Sequence, residues 1–516
     1  MAASEKHSFS RFQRQAERLL HNGKVDQAFD VLTQAWNQCV FSLGSEIVVS
    51  AHDCIQLAVV YANRERGEEW LRLANDRLHH LHHAGDHERH EFSLSFLRHV
   101  LAVRWDVGVT RKLLENDEIT SEIARRYDAK IEHWLYRQYL AFLLRGSRLC
   151  EFDDLLRRRV RFVERPSNLD RGFLLHLLVD RCVRGAWHEK AHVAATAAAR
   201  RFEHEERAVA ALLRCAMLCR MARSLGKWPD FDRAHRVAKE AENIARRLRA
   251  DSFLVNANNC QAVLYRRQGR HREALKLALR PENFQDEQTE NPIFARVNAA
   301  WIAVRCQRLS VAEKLLAEAR SMTKRFGSPY YLIFFHTVKS DLHRVRGDLV
   351  KAAASLERAK ENCHPDSDPR VRFLCRLSEA QLAYERSDAL RAMECATECA
   401  ELARGHAAFD VEAQGLLIQS SVLLDGKIDA ELQDKLYERI LPRLGAIGDP
   451  ELLLKVLANL YLYTWESDRD IELSDLHLKQ LSKLRPRLGH DRFEELYQRH
   501  VSAPVFDRIQ RRMFGA

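Results

Sequence analysis

The sequence has little glycine and little proline, with 19 and 11 of these residues in a chain of 516. Both residue types interrupt regular secondary structure, so their scarcity favours long, uninterrupted elements. Alanine, leucine, arginine and glutamate are abundant instead. This composition favours helices throughout and argues against a sheet-rich fold.

Long apolar runs are also missing from the sequence. No stretch approaches the about eighteen apolar residues that a membrane span needs, and the charged N-terminal segment lacks the apolar centre of a secretory signal. The 12 cysteines are scattered and form no compact pairing framework, which indicates a reducing compartment. We therefore expect a cytoplasmic protein without a membrane partner.

The familiar catalytic motifs are absent from the sequence. It contains no Walker-type glycine-rich loop, no GxGxxG, no HExxH, no GxSxG and no CxxC pair with zinc-finger spacing. The densest histidine cluster, HHLHHAGDHERH at 79–90, places His79 and His83 on one helical face. A third ligand at motif spacing is missing, so we interpret this cluster as a solvated turn. We expect no enzymatic activity, no metal and no cofactor.

The segment 256–281, NANNCQAVLYRRQGRHREALKLALRP, shows the pattern around which the chain is organised. Ala262 and Tyr265 lie three residues apart on a predicted first helix, and Gly269 follows at the turn. Ala274 lies five residues after Gly269 on a predicted second helix, and Pro281 closes the unit. Small residues at 262 and 274 allow two antiparallel helices to approach closely, and glycine allows the tight turn between them.

The same pattern recurs along the chain, with predicted turns at 269, 307, 347 and 387 and therefore steps of 38, 40 and 40 residues. The pattern resembles that of tetratricopeptide repeats, although those usually have a period of about 34 residues. Repeats of this length resemble the helical arrays of kinesin light chains, of Rap-type bacterial peptide receptors and of the maltose-activator class of bacterial regulators. HEAT repeats share the longer period, but the five-residue step from the turn to alanine favours the tetratricopeptide interpretation. The resemblance implies an all-α fold, a right-handed α-solenoid of antiparallel helix pairs.

The quality of the repeat divides the chain into four regions. Residues 1–90 contain N-terminal helical hairpins, the first around Gly23. Residues 91–229 are predicted to be degenerate helical repeats, 230–400 contain the best-formed repeats, and 401–516 contain further helical repeats and a terminal cap. A cap with a polar outer face is what a solenoid needs at its end.

The resemblance also predicts which side chains face the concave groove of the solenoid, where first helices lie side by side. Asparagine amides can hold a peptide backbone, arginines can hold carboxylates, and aromatic rings can form an apolar anchor pocket. The aromatic residues can equally be ordinary core between repeats. The predicted groove residues are Asn256, Asn259, Arg266, Phe294, Asn298, Trp301, Phe334, Asp341, Arg344, Gln381 and Tyr384.

The distribution of charge indicates a second candidate binding surface, a basic stripe of arginines. The chain has 82 Lys plus Arg and 72 Asp plus Glu, a formal net charge of +10, which permits an acidic partner without requiring one. Arg157, Arg158, Arg161 and Arg165 form a basic stripe that can meet phosphate or an acidic peptide, or can be a solvated face. The predicted groove positions do not repeat one residue type, which disfavours sequence-specific nucleic-acid reading.

The function we expect from the sequence is that of a protein-interaction scaffold or adaptor. Its partner is predicted to be a protein or peptide segment bound in the groove. Two alternatives remain open: a peptide- or ligand-responsive regulatory protein, and a basic helical-repeat nucleic-acid binder. The sequence leaves the oligomeric state and the identity of the partner open.

Overall fold

Every regular element of the described chain is a helix. A computed structural model describes residues 2–39, 47–81 and 168–504, with short gaps, and isolated positions between 97 and 156. The N-terminal part contains α1 (Ala2–His21), α2 (Val25–Cys39), α3 (Ile47–Val60) and α4 (Arg64–Leu81). The helices from residue 168 onward form further pairs, and no strand occurs among the described residues.

The central part of the array starts with α5 (Asn168–Arg184), α6 (His188–Glu203), α7 (Ala208–Leu225), α8 (Phe231–Arg247), α9 (Asp251–Arg267) and α10 (His271–Ala278). It continues with α11 (Asn291–Arg305), α12 (Leu309–Phe326), α13 (Pro329–Val345), α14 (Leu349–Glu361), α15 (Pro369–Glu385) and α16 (Ala389–Gly405).

The C-terminal part contains α17 (Phe409–Leu424), α18 (Ala430–Asp434), α19 (Pro450–Ser467), α20 (Ile471–Ser482), α21 (Arg485–Leu488) and α22 (His490–Tyr497). Short π-helical segments, Lys435–Ile440 and Gln498–Ser502, extend α18 and α22. A 3₁₀ turn, Pro281–Phe284, follows α10. None of the helices in the described parts of the chain is long and apolar enough to cross a membrane.

Consecutive helices pack as pairs, and from α5 onward each pair stacks on the next. In each pair from α7 onward the odd-numbered helix is the first helix and the even-numbered helix is the second. First helices also pack directly on one another, α7 on α9, α9 on α11, and so on to α17 on α19. The chain is therefore an α-solenoid of tetratricopeptide-like helix pairs.

The turns within the pairs share one backbone conformation. The four predicted turn positions all have positive φ: Gly269 at 70°, Gln307 at 58°, Gly347 at 81° and Ser387 at 62°. At the Gly269 turn, Gly269 N donates to Arg266 O and Arg270 N donates to Tyr265 O, at 3.0 and 2.9 Å. The turn thus satisfies carbonyl groups that the end of α9 leaves without partners. The predicted positions of these turns are confirmed.

The alanine that follows each turn by five residues explains the close approach of the two helices. Ala274, Ala312, Ala352 and Ala392 are each fully buried. A larger side chain there would push the second helix away from the first, because the interior of the protein between the two helices is closely packed. The five-residue step therefore reflects packing within each pair.

Aspartate side chains fix where several helices begin. Asp230, Asp348, Asp368 and Asp388 precede α8, α14, α15 and α16, and each accepts a hydrogen bond from a backbone N–H of the first turn. This is the usual capping role of aspartate, and the negative charge also complements the helix dipole.

The hydrophobic core shows that the array curls back on itself. One buried cluster spans residues of α1–α9 and also residues from Ala400 to Val501, whereas a second cluster holds the middle helices α9–α15. The start of α19 lies against the α9–α10 turn, since a Cβ at Gly269 would lie 2.5 Å from Pro450 Cδ. Helices that are far apart in the sequence are thus neighbours in space.

Candidate functional site

The predicted groove residues lie on four consecutive first helices that pack side by side. Asn256, Asn259 and Arg266 are on α9, and Phe294, Asn298 and Trp301 are on α11. The remaining predicted residues are on α13 (Phe334, Asp341 and Arg344) and on α15 (Gln381 and Tyr384). Because the helices are neighbours, these side chains form one row across the array rather than separate sites.

The asparagines hold the first helices together. Asn298 Nδ2 donates to Asn259 Oδ1 at 2.6 Å, and both residues are buried. Arg223 Nη2, on α7, donates to Asn256 Oδ1 at 2.9 Å. Asn256 is half-buried, so its amide lies nearer the surface of the groove than the Asn259–Asn298 pair does. The 39-residue spacing of that pair is close to the repeat step, which is the sequence signal for its contact.

An aromatic cluster follows on α11 and α13. The ring of Phe334 lies 5.7 Å from that of Phe294 and 6.0 Å from that of Trp301, the second pair being edge-to-face. Tyr330, which the sequence interpretation missed, lies 6.4 Å from Phe294. Phe334 is buried, whereas Phe294, Trp301 and Tyr330 are half-buried. One side of the cluster therefore packs in the core, and the other side exposes apolar ring surface.

Arg266 stands directly over this aromatic cluster. Its guanidinium carbon lies 4.2 Å from the centre of the Trp301 ring, a cation–π contact. Its nearest carboxylate is that of Asp410 on α17, with Nη1 and Oδ2 3.8 Å apart. Burial lowers the pKa of Arg266 to about 10, opposed by Asp410 and reinforced by the positive charges of Arg267 and Arg305. Sequence reasoning missed Asp410 because it lies 144 residues away.

At the α13–α15 end of the row, the charged side chains already have partners within the protein. Arg344 Nη1 lies 2.5 Å from Glu385 Oε1, and its Nε lies 3.8 Å from Asp341 Oδ1. Asp341 in turn accepts a hydrogen bond from Ser378 Oγ at 2.8 Å. These contacts link α13 to α15, so Arg344 and Asp341 contribute to the stacking of the repeats.

The last two predicted groove residues, both on α15, lie at the outer end of the row. Gln381 is half-buried, and Tyr384 is 41% exposed, one of the few large exposed apolar side chains in the described chain. Both side chains therefore reach solvent at this end of the row.

The C-terminal helices cover the other end of the row. Arg305 Nη2, at the end of α11, donates to Gln414 Oε1 on α17 at 3.0 Å. Asp449, just before α19, caps that helix by accepting from Glu451 N and Leu452 N at 3.1 Å each. Burial raises the pKa of Asp449 to about 6. The ends of α9 and α11 therefore meet α17 and α19 in a region rich in charge.

Two sequence features lie outside the described residues. The basic stripe of Arg157, Arg158, Arg161 and Arg165 falls there, and so do the side chains of the histidine cluster from His79 to His90. In the part of the chain that the structure describes, no group of three or more His, Cys, Asp or Glu side chains is placed to hold a metal ion.

The chain is similar to known proteins in structure but matches none in sequence. No family model matches the chain, and no curated protein sequence matches it. Among solved structures, the apo form of the quorum sensor NprR from B. thuringiensis is 13% identical, with a TM-score of 0.40 over 77% of this chain and 99% of that one. Yeast Tom70 is 14% identical, with a TM-score of 0.33 over 94% and 98% of the two chains.

A third similar structure is a signal-transduction ATPase with a tetratricopeptide-repeat sensor from Pyrococcus horikoshii. It is 15% identical, with a TM-score of 0.30 over 86% of this chain and 74% of that one. All three TM-scores are low.

Proposed function

We propose that the protein is an interaction adaptor that binds a peptide segment of a partner protein along the row of first helices α9, α11 and α13. The observation that carries this proposal is the half-buried surface made by Asn256, Phe294 and Trp301 with Arg266 above it. Phe294 and Trp301 on α11 offer apolar ring surface, and Arg266 supplies a cation over Trp301. Asn256, which supplies an amide that can pair with a peptide backbone, lies on α9 about 15 Å along the helix axis from Arg266. This combination suits an anchor residue and its flanking backbone.

The burial of the neighbouring side chains supports the proposal. The hydrogen bond between Asn259 and Asn298 and the packing of Phe334 fix the helices beneath the surface. A ligand would therefore meet side chains that are already held in place, which reduces the ordering cost of binding. The proposal assigns no catalytic step to these residues.

The experiment selects ligands from a random peptide library displayed on phage, with the full chain as bait. The affinity of a selected peptide is then measured for wild type, Asn256→Ala and Trp301→Leu. Val350→Ala is the matched control, because Val350 is 77% exposed on the second helix α14, away from the row. We expect the two row variants to weaken binding about tenfold each, as replacement of an interface anchor does, and the control to bind as wild type does.

Two results would contradict the proposal. One is a set of peptides that bind all four proteins equally. The other is a selection that yields no peptide whose binding depends on Asn256 or Trp301. Unchanged melting temperatures of the variants show that the comparison concerns binding and not folding.

A ligand-responsive regulator is the second candidate, and a specific observation favours it. Arg266 contacts Asp410 and Arg305 contacts Gln414, and both contacts join first helices that are far apart in the sequence. A ligand that engages these arginines competes with α17 for them, which would change the curvature of the array. A change in the radius of gyration on peptide binding, measured by small-angle X-ray scattering, distinguishes this regulator from a rigid adaptor.

A further inference from the structure

Four arginines in the last turns of the first helices α7, α9 and α11 each lie within range of a neighbouring arginine's charge. We call Arg223, Arg266, Arg267 and Arg305 the arginine cluster; each lies in the last turn of its helix. Arg267 is close enough to Asp410 and Arg223 for their charges to act on it, and Arg266 is likewise close to Arg267 and Arg305. Cations in a last turn complement the helix dipole, but that effect does not require them to lie within range of one another's charge.

The hydrogen bonds of the arginine cluster are incomplete. The Nε atoms of Arg266 and Arg267 are both buried and have no hydrogen-bond acceptor. The ion pair of Arg266 with Asp410 is long, at 3.8 Å. Arg223 and Arg305 donate to neutral amides, those of Asn256 and Gln414, rather than to carboxylates. Buried guanidinium groups normally have acceptors, because an uncompensated buried donor is costly.

The local charge is also unbalanced. The arginine cluster contributes four positive charges, and the carboxylates that act on it are those of Asp410 and Asp449. The difference is 4 − 2 = +2 when both carboxylates are ionised. Two ion pairs that lie nearby leave this balance unchanged: Lys455 with Glu451 at 3.3 Å and Arg220, close to Arg223, with Asp180 at 2.7 Å.

We propose that the arginine cluster binds a phosphoryl group, whose charge of about −2 at neutral pH matches the excess of the cluster. Guanidinium groups donate pairs of parallel hydrogen bonds to phosphate oxygens, which makes arginine the preferred residue for such recognition. The inference rests on the proposed function, because the cluster lies at one end of the peptide-binding row, beside Trp301. The phosphoryl group belongs either to a phosphorylated side chain of the bound peptide or to a small phosphate ester.

A carboxylate satisfies the cluster less well than a phosphoryl group does. Asp410 already supplies one carboxylate beside Arg266, and its distance of 3.8 Å shows that it does not draw the guanidinium into a close pair. A second carboxylate would leave one positive charge without a counterion. A tetrahedral dianion has enough oxygens to accept from several guanidinium groups at once.

The test is isothermal titration calorimetry on the full chain at constant ionic strength. The probes are inorganic phosphate, O-phosphoserine, serine and glutamate. The variants are Arg267→Met and Arg267→Lys, of which the second keeps the charge and loses the planar fork. The control is Arg346→Met, because Arg346 has its own carboxylate partner, Glu313 Oε2, at 2.7 Å.

Saturable binding of phosphate and O-phosphoserine to wild type and to Arg346→Met is expected. Arg267→Met and Arg267→Lys should each weaken that binding about tenfold, since they remove charge or fork geometry from the site. Serine and glutamate should bind about tenfold more weakly than O-phosphoserine. The proposal is overturned if phosphate does not saturate a site, or if both Arg267 variants bind it as wild type does.

A second arm identifies the source of the phosphoryl group and separates the two proposals. A library-selected peptide is compared in forms with and without one phosphoserine. Tighter binding of the phosphorylated form, with the difference lost in Arg267→Met, supports a phosphorylated partner. Equal binding of both peptide forms, together with saturable binding of inorganic phosphate, supports a small phosphate ester. If phosphate fails but peptides still depend on Trp301, the phosphoryl site falls and the adaptor stands. If phosphate binds but no selected peptide depends on Trp301, the phosphoryl site stands and the proposal of a peptide-binding groove falls.

Discussion

At the residue scale, Glu242 shows how the array tolerates buried charge outside the groove. Its carboxylate is 1% exposed and accepts from Lys239, Arg246, Gln261 and Arg280 at 2.8 to 3.1 Å. Burial acts to raise the pKa of Glu242, but the hydrogen bonds from Lys239, Gln261 and Arg246 outweigh burial and bring the pKa to about 2. The carboxylate therefore joins α8 to α9 and to the end of the following pair.

Replacement of Glu242 by glutamine should destabilise the fold by about 2 kcal/mol at neutral pH, because several charge-assisted hydrogen bonds are lost. A lowered pKa gives stability that is present above the ordinary value of 4.5 and is lost as the pH falls towards about 2. Urea unfolding of wild type and Glu242→Gln should thus converge in acid. Glu240→Gln is the control: its partner Arg214 lies 2.7 Å away, but the pair is only half-buried and Arg214 also pairs with Glu203, so a cost of about 1 kcal/mol or less is expected. A constant difference at all pH values would contradict this assignment.

Asp449 should show the opposite pH dependence. Burial raises its pKa from 3.8 to about 6, so the folded state binds the proton more tightly than the unfolded chain does. Wild type should lose about 2 kcal/mol relative to Asp449→Asn as the pH rises from about 4 to about 7. The asparagine oxygen can still cap α19. Unfolding curves at several pH values check this.

Asp348 provides the control for that experiment, since it also caps a helix. The hydrogen bond from Lys351 lowers the pKa of Asp348, so wild type should gain stability over Asp348→Asn as the pH rises through the acid range. Differences of the same sign at both positions would show that the caps, and not burial, set the pH response.

At the element scale, much of the array follows from local sequence. The turns at 269, 307, 347 and 387 and the alanines five residues later were predictable, because a left-handed turn residue and a small packing residue leave a mark within each repeat. The contacts of α17 and α19 with α9 and α11 were not predictable. Residues such as Asp410 and Arg266, 144 positions apart, follow no local period that would show that they meet.

Two glycines with one backbone conformation test this difference between local and distant packing. Gly269 and Gly347 have φ of 70° and 81°, yet a Cβ at Gly269 would lie 2.5 Å from Pro450 Cδ, whereas a Cβ at Gly347 would have nothing within 4 Å. Alanine should cost about 1 kcal/mol at Gly347 from backbone strain alone. At Gly269 it should cost about 2–3 kcal/mol, because the start of α19 must also move.

Thermal unfolding of the two glycine variants measures the comparison. Equal losses of stability in the two variants would show that the α9–α10 turn does not pack against α19 in solution. A larger loss for Gly269→Ala would confirm the contact between the turn and the C-terminal helices.

At the scale of the whole molecule, the curl of the array decides how much of the row a ligand can reach. The shared core of N-terminal and C-terminal helices brings α17 and α19 to the ends of α9 and α11. The candidate site therefore has a charged, partly covered end at the arginine cluster and a more open end at Tyr384, which is 41% exposed. The repeat pattern predicted the residues of the row, but the covered end depends on curvature that accumulates over several repeats.

The most direct test of the account is hydrogen–deuterium exchange of the full chain with and without a selected peptide. Binding along the row should protect amides of the first helices α9, α11 and α13 and leave the second helices α12 and α14 unchanged. Protection confined to the second helices, or to residues outside α9–α13, would contradict the assignment of the ligand to the concave face.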